Sequence, residues 1–133
     1  MVIESVIIYN YPNSNSHKVA SIIENYTNYD CFSLSDSFNL SDYNFFIFVV
    51  ANFGDEELNP RFEDFFESIS LKNKEFICCE LGNCFGNEEK HFGCVHVVKS
   101  ILSNLDWTDR GSISFDSFPN LDQEEVKKWI KSL

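Results

Sequence analysis

The sequence predicts an α/β fold, a three-layer α/β/α sandwich around a five-stranded parallel sheet of order 2-1-3-4-5. Three observations lead there. The run Phe45-Phe46-Ile47-Phe48-Val49-Val50 is continuously aromatic and β-branched, as expected of a strand covered on both faces. Apolar runs of this kind alternate with helical patterns along the whole chain, which calls for parallel strands joined by right-handed crossovers. Five strands within 133 residues favour the shorter of the two common doubly wound orders. Its switch point lies between strands one and three.

The elements follow in order. Ser5–Tyr9 is the first strand, and a polar loop over 10–16 leads to a helix with Val19, Ile22, Ile23 and Tyr26 on its inward face. A short second strand covers 30–34 and the third covers 45–50. The next helix begins near Asn59-Pro60, where a missing N–H costs nothing. It buries Phe62, Phe65, Phe66 and Ile69 and turns Arg61, Glu63, Asp64 and Glu67 to water. The fourth strand is expected over 75–79, followed by a long loop over 80–90 and a helix over 92–105 with Val95, Val98, Ile101 and Leu102 inward. A fifth strand over 112–115 precedes a last helix opening on Asp122-Gln123-Glu124-Glu125, acidic where the dipole favours it, with Val126, Trp129 and Ile130 inward. The chain reads as a single domain, 1–133, without repeat or linker.

Composition narrows the function classes. The balance of 21 acidic against 10 basic residues gives a net charge of −11, which argues against nucleic acid and against anionic membrane surfaces. Met1-Val2-Ile3-Glu4-Ser5 runs straight into a strand, with no basic n-region and no spanning apolar stretch, so a cytoplasmic compartment is expected. The five cysteines, Cys31, Cys78, Cys79, Cys84 and Cys94, then read as reduced thiols, with Cys78 and Cys79 packed in the core. Their spacing with His91 and His96 matches no zinc pattern, so no metal is expected. His17, His91 and His96 are expected at the surface or at helix ends, and Trp107 and Trp129 as packing residues.

Three loops converge at the carboxyl ends of the strands beside the switch point. Tyr11-Pro12-Asn13-Ser14-Asn15-Ser16 offers small polar groups and backbone N–H at a helix start, chemistry suited to a phosphate monoester. An Asn/Ser turn with an N-cap has the same composition. No GxxxxGK pattern is present. Asn52-Phe53-Gly54-Asp55 presents a ring where a core does not need one, beside a glycine whose peptide can flip. Leu81-Gly82-Asn83-Cys84-Phe85 supplies a second ring and polar backbone in a connection long enough to suggest function.

With those residues in view the chain resembles a short-chain flavodoxin over essentially its full length. Residues 11–16 followed by Val19-Ala20 stand in register with the family's T/S-x-T-G-N-T loop and Val-Ala helix. Asn52-Phe53-Gly54-Asp55-Glu56-Glu57-Leu58 and Phe62-Glu63-Asp64-Phe65-Phe66 are similar to its T-[WY]-G-D/E-[GD]-E-L segment and Phe-Glu-x-Phe helix. Glu80-Leu81-Gly82-Asn83-Cys84-Phe85 and His91-Phe92-Gly93-Cys94-Val95 resemble G-x-G-D-S-S-Y…F-C-G-A-V, with about two extra residues between them. The chain departs from the pattern at Ser14, which replaces a glycine, and at Pro12, which removes one N–H from the phosphate cradle. Phe53 and either Phe85 or Phe92 replace the usual stacking Trp and Tyr.

The resemblance implies FMN as cofactor, with residues 11–16 at its phosphate and Asn52, Phe53, Gly54, Asp55, Leu81, Gly82, Asn83 and Phe85 around its ring. It implies a one-electron carrier of low potential, with the Gly54 carbonyl accepting from N5–H of the reduced flavin and acidic surroundings disfavouring further negative charge. The partners implied are redox proteins, a reductase donor and an acceptor enzyme, docking through basic patches on a monomer. Two alternatives stay open: an activating flavoprotein of the ribonucleotide reductase type, and a flavin-free binding module on the same fold.

Overall fold

The structure is a computed structural model and describes residues 4–10, 15–51, 60–82, 94–116 and 123–132. Its five strands are β1 (Ser5–Tyr9), β2 (Asp30–Ser33), β3 (Phe45–Ala51), β4 (Glu75–Gly82) and β5 (Thr108–Asp116). They form one sheet of order β2-β1-β3-β4-β5, the order the sequence predicts. Every ladder is parallel, with Val6 facing Asp30 on one side and Phe46 on the other. The helices are α1 (Asn15–Thr27), α2 (Pro60–Ser68), α3 (Cys94–Ser103) and α4 (Gln123–Lys131).

Alternation along the strands divides the core into two layers. Val6, Ile8, Phe46, Phe48, Val50, Phe76 and Cys78 pack against α2 and α3 through Phe62, Phe66, Val98 and Leu102. Ile7, Tyr9, Ile47, Val49, Cys79 and Leu81 pack on the other face against Val19, Ala20, Ile23, Val126 and Ile130 of α1 and α4. The first layer is an aromatic cluster centred on Phe48, whose ring lies 4.8 Å from Phe66 and 6.1 Å from Trp107, centroid to centroid. Trp107 is buried yet satisfied, its indole N–H donating to the Leu71 carbonyl at 2.8 Å. Each buried Phe contributes roughly 1.5–3 kcal/mol of apolar transfer.

Several elements differ from expectation for identifiable reasons. β2 stops at Ser33, because the Leu34 N–H turns back to the carbonyls of Tyr9 and Asn10, at 3.1 Å each. Its crossover to β3 carries only a one-turn 3₁₀ helix, Leu40–Asp42, capped by Asn39 Oδ1 on the Ser41 N–H. Tyr26 is 49% exposed, because the inward stripe of α1 runs through Ser16, Val19, Ala20 and Ile23 and leaves Tyr26 beside Lys127 of α4. α1 ends on Asn28 at φ 60°, with its N–H on the Glu24 carbonyl at 2.8 Å.

β4 runs on through Glu80, Leu81 and Gly82, so the loop expected from residue 80 begins later. Glu80 is fully buried there between Val50 and Ser114. β5 begins four residues before the expected 112, on the exposed polar residues of an edge strand, where periodicity carries no apolar signal. Arg110 and Gly111 together oppose the single residue Ile77, a bulge that Gly111 accommodates at φ 127° with its N–H on Asp109 Oδ1 at 2.9 Å. Among the described residues α3 begins at Cys94, and Ile69 packs in the core one residue past the end of α2.

Candidate functional site

The order of the strands creates a crevice. β1 continues into α1 on one face and β3 into α2 on the other, so the two crossovers diverge at the carboxyl ends of adjacent strands. Ligands of open α/β sheets bind at such a point. Asn10, Ala51 and Gly82 stand at its edge, at the ends of β1, β3 and β4.

The best-defined part is the junction of β1 and α1. Asn10 is 2% exposed, its N–H donates to Ser16 Oγ at 3.3 Å, and its carbonyl accepts the Leu34 N–H. Ser16 is itself buried in the first turn of α1. The Asn10 side-chain oxygen Oδ1 is buried without a hydrogen-bond partner. An amide oxygen left in that condition costs about 1–3 kcal/mol, so it asks for a donor that the described residues do not supply. The first turn of α1 holds no acidic side chain, so the positive end of its dipole is not offset there by a carboxylate. Together the junction offers a helix dipole suited to an anion and one acceptor suited to a hydroxyl.

His17 lies in the same turn and stacks on Tyr9, with centroids 4.7 Å apart and planes 4° from parallel. It is half-buried in that stack, where the sequence suggested a surface position or a cap. Burial first, then Cys31, Asp36 and Glu24, push the Tyr9 hydroxyl above its ordinary range. The neighbouring turn is held by Asp36 Oδ2 accepting the Ser33 N–H at 2.8 Å and by a 2.8 Å hydroxyl contact between Ser33 and Ser35.

The remaining expected site residues divide into two groups. Leu81 is a core residue of β4, fully buried against the α1–α4 layer, so its side chain fills the sheet. Asn15 and Gly82 are placed by their backbone, at the head of α1 and at the end of β4. Tyr11, Pro12, Asn13, Ser14, Asn52, Phe53, Gly54, Asp55, Asn83 and Phe85 lie outside the described residues, as do Cys84, His91 and Phe92. Asn10 and the Tyr9–His17 pair were not singled out from the sequence. The signal for Asn10 was available: Val6 and Ile8 face one layer, and period two carries that face on to residue 10.

No protein-family model matches the sequence, and no curated protein matches it. Solved structures do match. A Fusobacterium nucleatum flavodoxin bound to flavin mononucleotide superposes with a TM-score of 0.76 at 15% identity, over 96% of this chain and 95% of that one. Oxidised flavodoxin 1 from Bacillus cereus gives 0.71 at 20% identity, over 96% and 92%. A short-chain flavodoxin associated with a non-canonical PDU bacterial microcompartment gives 0.68 at 17% identity, over 100% and 97%. The strand order, the two helical layers and these superpositions agree, and the chain has the flavodoxin fold.

Proposed function

We propose that this chain binds FMN without a covalent bond and carries electrons singly, at low potential, between a reductase and an acceptor enzyme. The observation that carries the reading is the β1–α1 junction, where a helix start free of acidic side chains meets a buried acceptor lacking a donor. FMN brings both a phosphate and a chain of hydroxyls. The full-length likeness to an FMN-bound flavodoxin supports the same reading.

In this account Tyr11, Pro12, Asn13, Ser14, Asn15 and Ser16 hold the phosphate, with Asn10 beside them. Asn52, Phe53, Gly54, Asp55, Gly82, Asn83 and Phe85 surround the ring, with Leu81 shaping the floor beneath. Bound there, the flavin supplies one-electron chemistry. The protein binds, orients and desolvates it, and no side chain need act as acid, base or nucleophile. The net charge of −11 disfavours a second negative charge on the cofactor and favours partners with basic docking surfaces.

The purified protein mixed with FMN tests this. Quenched flavin fluorescence with a shifted absorption band is expected, and unchanged spectra at micromolar concentrations would refute it. Pro12 and Ser14 favour a second reading, a flavin-free binding module, which predicts that unchanged result.

A further inference from the structure

We infer a second binding site at the amino ends of the strands, a cavity that takes a neutral, planar heterocycle of nucleobase type whose edge carries a hydrogen-bond donor beside an acceptor. It lies at the opposite edge of the sheet from the crevice described above and does not rest on the FMN reading. The first residues of three neighbouring strands, Ser5, Phe45 and Glu75, form one row on the α1–α4 face. They are partly exposed, whereas the next residues along that face, Ile7, Ile47 and Ile77, are buried. The foot of the face is therefore left open, and a cavity of about 400 Å³ forms there, within the range of small-ligand pockets.

The apolar part of the cavity is Ile77 with the rings of Phe45 and Tyr29, which meet edge to face at 6.4 Å and 86°. Two perpendicular ring planes make a corner against which a flat ring packs. Ser132 lines the same cavity just past α4, tied to the Trp129 carbonyl by its N–H at 3.0 Å and its hydroxyl at 2.6 Å.

The polar part is an ion pair. Period two puts Arg110 of β5 on the face of Ile77 and Asp109 on the other, where it meets Lys99 of α3 at 3.1 Å. Arg110 Nη1 then donates to Glu75 Oε1 at 2.8 Å, and both side chains are partly exposed at the cavity. That bond engages one guanidinium nitrogen and one carboxylate oxygen, so the pair offers further N–H donors together with the acceptor Oε2. The pair decides the charge of the ligand. A carboxylate on Arg110 competes with Glu75 and enters a protein of net charge −11, and an ammonium on Glu75 competes with Arg110. A neutral edge bonds to both and leaves the pair intact. An exocyclic amine donates to Glu75 Oε2, and a ring nitrogen accepts from Arg110.

The test is a titration of the ¹⁵N-labelled protein with adenosine up to about 5 mM, the range of a weak small-ligand site. We expect saturable amide shifts at Ser5, Tyr29, Glu75, Ile77 and Arg110, unchanged when FMN is also present. Glu75→Met and Arg110→Met, which keep the side-chain stems, should each weaken adenosine about tenfold. Purine riboside, the same ring without the exocyclic amine, should bind the wild type about tenfold more weakly, a comparison that needs no variant. No shifts at these residues, equal affinity for purine riboside, unchanged affinity in both variants, or tighter binding of benzoate or benzylammonium overturns the inference. Displacement of adenosine by FMN also overturns it, because the cavity would then not be a separate site.

Discussion

Replacing Asn10 by leucine separates what this residue does for the fold from what it does for a ligand. Asn10 Oδ1 is buried without a partner, a condition costing about 1–3 kcal/mol in the free protein. Leucine keeps the branch at Cγ and removes the stranded acceptor, and the backbone bonds to Ser16 Oγ and from Leu34 N–H do not involve the side chain. The free protein should therefore gain about 1–2 kcal/mol, a rise of roughly 0.5–1 M in the urea midpoint at an unchanged slope. FMN affinity should fall in the same variant, because a donor on the ligand loses its acceptor. Urea unfolding followed by tryptophan fluorescence, run without flavin, measures the first effect. A loss of more than about 1 kcal/mol would refute the reasoning, since it would mean that Oδ1 already has a partner.

Phe48→Ala should cost about 3–5 kcal/mol in the same assay, because the fully buried ring lies among Phe46, Phe65, Phe66, Phe76 and Trp107; a loss below about 1.5 kcal/mol would contradict that packing. The Tyr43 hydroxyl donates to Asp30 Oδ2 at 2.8 Å, and burial, then that bond, push its pKa up to about 12. The folded state thus favours the neutral phenol: its contribution is complete below pH 10 and lost as pH rises from 10 towards 12. Tyr43→Phe should flatten that alkaline loss and cost about 1 kcal/mol at neutral pH, read by thermal melting across pH. Cys31 is pushed up to about 12 by burial, Glu24 and Asp36, and Cys78 well above its ordinary value by burial. Neither should alkylate with iodoacetamide at pH 8 until urea is added, as peptide mass spectrometry would record.

The fold was legible where burial writes itself into residue type. β3 is covered on both faces and reads as an unbroken apolar run, and α2 presents Phe62 and Phe66 inward at helical spacing. β5 was half hidden because residues 108–112 of this edge strand are exposed, and their strand state comes from pairing with β4. Glu80 misled because a carboxylate reads as solvated, whereas strand pairing carries it fully into the sheet. The candidate site was legible as a location, since strand order alone fixes the switch point. Its chemistry at Asn10 and His17 was not, because a buried amide oxygen without a donor and a ring stack exist only once β1 and α1 are joined.

The central claim, that FMN docks at the carboxyl ends of β1, β3 and β4, is tested most directly by amide chemical shifts of the ¹⁵N-labelled protein titrated with FMN. The account predicts saturable shifts near one equivalent, concentrated at Asn10, Ser16, His17, Ala51 and Gly82. Shifts gathered instead at the opposite edge of the sheet, around Ser5, Glu75 and Arg110, would contradict it, and so would an unchanged spectrum at equimolar FMN.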